Sequence, residues 1–156
     1  RCLIVGGDQG RQDYRRELET MVARHDLGEV VRIVDHCADM PAAYMLSDVV
    51  ISASTDPEAF GRVVVEAQAL GRPVVATDHG GARETVLVDK TGWLVEPGDA
   101  EALSAALAKV LAMDEKARTE LSDAAIANVT EHFSKQSMCM KTLDVYNEVL
   151  QSAADA

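Results

Sequence analysis

Short apolar bursts alternate with amphipathic stretches along the first two-thirds of the chain. The bursts fall at residues 2–5, 30–34, 48–52, 73–77 and 92–95, each of strand length. Between them, residues 13–26 place Tyr14, Leu18, Met21 and Val22 on one helical face, and Gly28 stands where a glycine commonly ends a helix. Residues 40–47 form a short helix whose Pro41 suits a first turn. Residues 62–70 form another, stopped by Gly71, and 82–86 a single turn after Gly80 and Gly81. Residues 48–52 are apolar at their centre, as a strand covered on both faces should be. Past Pro97 and Gly98 the rhythm changes to three successive helices, 99–113, 115–133 and 134–151, with Asp99, Asp114 and Ser134 as their starts. Residues 152–156 read as a frayed tail, and 1–151 as a single domain.

Strands separated by helices predict a mainly parallel sheet with helices on both faces, a three-layer α/β/α arrangement followed by C-terminal helices. In such folds ligands gather outside the carboxyl ends of the strands. Gly6 and Gly7, His36 and Cys37, the segment 52–58 and the segment 78–81 all follow strands, so all lie on that edge.

Composition narrows the possibilities. The chain has 156 residues, enough for about one domain, with 47% apolar and 26% charged side chains. Its net charge of −11 and lack of a Lys/Arg run argue against nucleic acid and against anionic membrane surfaces. No apolar run is long enough to span a bilayer, so direct membrane insertion is not expected. Cys2, Cys37 and Cys139 are odd in number and far apart, which points to reduced thiols and a cytoplasmic setting. No metal-ligand spacing is present. The chain opens at Arg1 directly on a strand-like segment, and an upstream part is expected.

The candidate chemistry is concentrated in residues 54–77. Glu58 and Glu66 flank a turn that leads into a helix, with a strand before and the segment Gly71, Arg72, Pro73 and a further strand after. A carboxylate accepts two parallel hydrogen bonds from a vicinal diol, and its charge strengthens them. Spacing alone would not separate this pair from a solvated helix face; spacing within a strand–glycine turn–helix does. The run from Gly6 to Gly10 lacks the second half of a dinucleotide fingerprint and reads as a plain strand-to-helix turn. His36 and His79 at strand ends are within reach of a ligand, although a lone His is more often simply hydrogen-bonded.

Seven segments in order, LIVGG at 3–7, SDVVIS at 47–52, EAFGRVVVEA at 58–67, GRPVVAT at 71–77, GGARE at 80–84, TGWLV at 91–95 and PGD at 97–99, carry a resemblance. From Leu3 to about Tyr146 the chain resembles the C-terminal, donor-binding domain of the family-4 (group 1) retaining glycosyltransferases of GT-B architecture. The resemblance implies that Glu66 holds the ribose hydroxyls of a nucleotide diphosphate sugar. It implies that Glu58 faces the transferred hexose, as the catalytic carboxylate. Ala59, Phe60, Gly61 and Arg62 match the turn whose N–H groups approach sugar and phosphate, at a helix N-terminus suited to an anion. Asp35, His36 and Cys37 match the strand end beside the nucleobase, where the family often has a glycine, so the base stays open. Gly6 and Gly7 border the same edge. No cofactor or metal beyond the donor is implied.

The resemblance also implies what surrounds this segment. An Arg and a Lys that neutralise the donor diphosphate, the first strand of the domain, and an acceptor-binding N-terminal domain would all precede Leu3. This chain alone is therefore expected to be inactive. Either another segment or chain fills the slot of the first strand, or the first two strands close up against the third. Self-association through that slot, or through Met138, Met140, Leu143, Tyr146 and Leu150 of the helix 134–151, is expected. Attachment to the inner membrane would be peripheral, through the acceptor-binding domain. Three alternatives remain at this point: a GT-B sugar-nucleotide epimerase or phosphorylase, a non-catalytic nucleotide-sugar-binding module, and an NAD-dependent dehydrogenase.

Overall fold

A computed structural model describes residues 1–8 and 10–154. Gln9, within the first turn, and residues 155–156 of the expected tail lie outside the described residues. The elements run β1 (Cys2–Val5), α1 (Gln12–Arg24), β2 (Val31–Val34), α2 (Met40–Met45), β3 (Val50–Ser52), α3 (Arg62–Ala69), β4 (Val74–Thr77), α4 (Ala82–Thr85), β5 (Gly92–Val95), α5 (Ala100–Leu111), α6 (Glu115–His132) and α7 (Lys135–Ala154). Every ladder is parallel, β1 with β2 and β3 with β4 with β5. This is the Rossmann-like α/β class that the alternation of bursts and helices predicts. Among the described residues β3 pairs only with β4. By internal contacts the chain divides into two compact units, Arg1–Ala43 and Tyr44–Ala156.

In the first unit β1 and β2 run in register, Cys2 opposite Val31 and Val5 opposite Val34. The helix α1 ends one motif earlier than expected. The left-handed residue is Asp26 (φ 54°), not Gly28, and the Leu27 N–H reaches back to the Val22 carbonyl at 2.9 Å. Asp tolerates this conformation better than most residues, so it closes the helix without a glycine.

The same closure recurs in the second unit with glycine, and there for a packing reason. At the end of α3, Gly71 is left-handed (φ 66°) and Arg72 N–H bonds the Ala67 carbonyl at 3.0 Å. A Cβ on Gly71 would stand 2.1 Å from Ser122 Oγ of α6. Val75, Trp93, Val95, Val110 and Leu121 make the core of this unit, joining β4 and β5 to α5 and α6. Only β4, the middle strand, is buried at all four positions. The edge strand β3 leaves Ile51 38% exposed, which corrects the expectation that this strand is covered on both faces.

Both predicted acidic caps form. Asp99 accepts from Ala102 N–H and Asp114 from Ala117 N–H, each at 2.8 Å. Ser134 caps α7 by accepting from Ser137 N–H at 3.1 Å. The helix continues to Ala154, so residues 152–154 are helical where a frayed tail is expected. Met138, Met140, Leu143, Tyr146 and Leu150 on it are all exposed.

Candidate functional site

The helix α3 turns Val64, Val65, Ala67 and Gln68 into the core, where Gln68 Nε2 donates to the Thr85 carbonyl at 3.0 Å. With 100° per residue, that face leaves Arg62 and Glu66 on the outer side, one turn apart. Arg62 clamps Glu66 Oε1 through Nε at 3.1 Å and Nη2 at 2.7 Å. Tyr44 Oη donates to the other oxygen, Glu66 Oε2, at 3.0 Å. Burial, reinforced by the neighbouring carboxylate, pushes the Tyr44 phenol up to about 12. It therefore remains a donor throughout the neutral range.

Glu58 is held by a separate set of bonds. Ser54 Oγ donates to Glu58 Oε1 at 2.8 Å, while the Ser54 carbonyl accepts from Thr77 Oγ1 at 2.8 Å and faces His79 Nε2 at 2.9 Å. A carbonyl accepts only, so Nε2 is the donor in this bond. His79 thus takes the plain hydrogen-bonded role. Gly81 N–H donates to the Glu58 carbonyl at 2.9 Å. Side chains on Gly80 or Gly81 would drive a Cβ to 2.3 Å from Glu58 O or 2.4 Å from Phe60 O. The two glycines let the loop after β4 lie directly on the Glu58–Phe60 backbone. A small cavity between them is lined by Ser52, Ser54, Glu58, Gly61, Thr77 and His79 among others.

Gly61 is the residue before α3, left-handed at φ 74° and without a side-chain cap. Phe60 packs edge-on against Phe133, with ring centroids 5.9 Å apart. One turn and one helix thus carry Glu58, Ala59, Phe60, Gly61, Arg62 and Glu66, as the spacing predicts.

The remaining predicted residues belong to the first unit. Gly6 N–H bonds the Val34 carbonyl at 3.0 Å, which sets Gly6 and Gly7 beside Asp35 at the carboxyl edge of β1 and β2. Asp35 is paired with Arg15, which raises the guanidinium above its ordinary value, first through the hydrogen bond to Asp35. Cys37 Sγ donates to the Asp39 carbonyl at 3.4 Å. Among the described residues no three His, Cys, Asp or Glu side chains converge on a metal position. No described helix is long and apolar enough to cross a membrane.

Sequence reasoning missed Tyr44 and Thr77, and gave Ser54 a place on the edge without a role. Ser54 lies four residues before Glu58 in a turn, a local signal that such a hydroxyl can use. Tyr44 lies 22 residues before Glu66, and nothing local announces the bond.

This parallel α/β fold, which carries two braced carboxylates on one strand–turn–helix, is that of the C-terminal domain of a GT-B glycosyltransferase. The family described as "Glycosyl transferases group 1" matches residues 1–128, and the chain belongs to it. It is 37% identical over 153 residues to a D-inositol 3-phosphate glycosyltransferase of Xylanimonas cellulosilytica, covering 94% of this chain and 35% of that one. A glycosyltransferase from Rickettsia africae superimposes with a TM-score of 0.91 at 35% identity, over 96% of this chain and 40% of that chain. Anabaena HepE in complex with UDP-glucose superimposes with a TM-score of 0.86 at 31% identity, over 94% of this chain and 40% of that one. The chain therefore spans about 35 to 40% of the length of these relatives.

Proposed function

We propose that this chain is the donor-binding half of a retaining hexosyltransferase that takes a nucleotide diphosphate sugar and delivers the hexose to a glycan, lipid or small-molecule hydroxyl. The observation that carries the reading is the separate bracing of the two carboxylates, Glu66 by Tyr44 and Arg62, Glu58 by Ser54. Glu66 receives the ribose hydroxyls. Glu58 faces the hexose, and its charge steadies positive charge developing at the anomeric carbon. The turn of Ala59, Phe60, Gly61 and Arg62 presents the uncapped start of α3 to sugar and diphosphate, with no side chain on Gly61 in the way. Gly6, Gly7, Asp35, His36 and Cys37 border the nucleobase. No metal takes part; leaving-group charge is neutralised by basic groups and helix dipole, the former supplied by the part of the protein before Leu3.

The relatives support a nucleotide-sugar donor, since Anabaena HepE is seen with UDP-glucose and one relative is a GDP-mannose-dependent mannosyltransferase of Mycolicibacterium smegmatis. The exposed apolar side chains of α7 provide a surface for the acceptor-binding domain of the same protein, and self-association is the alternative when that domain is absent. The setting is the cytoplasm, and polysaccharide biosynthesis is the process it serves.

Calorimetric titration with UDP, GDP, ADP and NAD tests this. One nucleoside diphosphate binds, NAD does not, and Glu66→Ala weakens binding by about tenfold or more, the loss of charge-assisted hydrogen bonds. Binding that is indifferent to Glu66→Ala, or a preference for NAD, overturns the reading.

A further inference from the structure

Tyr44 is only 5% exposed, yet its hydroxyl is spent on the outward-facing carboxylate of α3 rather than on the core. Both Glu66 oxygens have protein donors: Oε2 has one, Tyr44 Oη at 3.0 Å, and Oε1 has two, Arg62 Nε at 3.1 Å and Nη2 at 2.7 Å. A carboxylate offers about four acceptor sites, two on each oxygen. Tyr44 leaves one site open on Oε2, and Oε1 opens when Arg62 turns away, so that one hydroxyl of a vicinal diol can reach each oxygen. A rotating carboxylate would lose torsional freedom on binding; one held at both oxygens has lost it beforehand.

We infer that Tyr44, with Arg62 as its counterpart, is a positioning residue that orients Glu66 to read the 2′- and 3′-hydroxyls of the donor's ribose. The inference rests on the donor-site reading above and adds to it a determinant of ribose selectivity. The two clamps differ in kind. Arg62 sits on the surface with its side chain 82% exposed, and is free to turn toward a diphosphate. Tyr44 is fixed by packing and serves Glu66 alone. The phenol fixes Oε2 and Arg62 fixes Oε1, so the register of the carboxylate is set before the ribose arrives.

The test compares each nucleoside diphosphate that binds, among UDP, GDP and ADP, with its 2′-deoxy counterpart, in this chain and its Tyr44→Phe, Arg62→Met and Glu66→Ala variants. Tyr44→Phe keeps the ring and removes only the hydroxyl. It is expected to weaken ribonucleotide binding by about threefold to tenfold, the cost of ordering on binding a Glu66 side chain that is no longer held beforehand. The 2′-deoxy nucleotide, which makes fewer bonds to Glu66, weakens less, so the ratio of the two dissociation constants narrows. A purely structural Tyr44 would move both constants together, and an unchanged ratio overturns the inference. Arg62→Met, on the surface, is expected to narrow the same ratio. Should Tyr44→Phe not melt cooperatively, that variant decides: an unchanged ratio in Arg62→Met refutes the clamp. Binding lost in Glu66→Ala with a parental ratio in Tyr44→Phe removes this inference and leaves the donor site standing. No nucleotide binding by the parent chain removes both.

Discussion

The two compact units of this chain use similar strands under different conditions. In Arg1–Ala43 no described residue is fully buried, and Leu3 in the middle of β1 is 61% exposed. In Tyr44–Ala156 all of β4 is buried, with Val75 at 0%. The apolar pattern is alike in both, CLIV against VVAT. The difference teaches that pattern states a demand for cover, while burial records whether described residues meet it. The first unit relies on its two-stranded ladder and on surface ion pairs such as Arg15 with Glu19 at 3.1 Å, which contribute little in water. The second has a side-chain core.

Glycine substitution should give the largest contrast. Gly71→Ala demands a Cβ 2.1 Å from Ser122 Oγ at a left-handed position, and is expected to cost about 2 to 4 kcal/mol from strain and overpacking together. Gly28→Ala meets nothing within 4 Å and should stay within about 0.5 kcal/mol. Denaturant melts of the two proteins measure both. Equal losses would mean that the units are not packed as differently as their burial states.

A core truncation comes next. Val75→Ala removes methyl groups with no exposure and should destabilise by about 2 kcal/mol. Leu3→Ala, although the larger deletion, should cost less than about 1 kcal/mol, because over half of its surface already faces water. A Leu3→Ala loss as large as that of Val75→Ala would show that β1 is covered in solution.

The smallest effect sharpens the electrostatic side. Asp89 accepts from Lys109 Nζ at 2.7 Å and from Trp93 Nε1 at 2.8 Å, and these bonds, Lys109 first, hold its carboxyl below the ordinary aspartate pKa. A depressed carboxylate contributes stability above its unfolded value and loses it as pH falls through the folded value. Asp89→Asn, which keeps an acceptor for Trp93 and tolerates the left-handed φ of 62°, should therefore flatten the loss of stability below pH 3.8. Thermal melts across that range detect it; parallel curves for the two proteins would rule out a role for this pair.

Much of the site was legible because it is local. Glu58, Gly61, Arg62 and Glu66 sit within nine residues, and helix geometry alone puts Arg62 over Glu66. The helix starts at Asp99 and Asp114 were legible for the same reason, since a cap bonds within three residues. Gly28 was misread because two residues near it can take the left-handed position, and a sequence does not say which one will. The burial of residues 48–52 was misread because an apolar centre looks the same in an edge strand and a middle one.

What the sequence determined by itself, then, is the order of strands and helices and the placing of two carboxylates around a helix start. Both follow from periods of two and 3.6 residues and from glycine's freedom, which act over a few positions. Tertiary structure decided which apolar strand lies in the middle. It decided that Gly80 and Gly81 must lack side chains because Glu58 and Phe60 pass beneath them, and that Tyr44 braces Glu66 from 22 residues away. These depend on which surfaces meet after the chain has folded, and contacts between distant segments leave no period in the sequence to read.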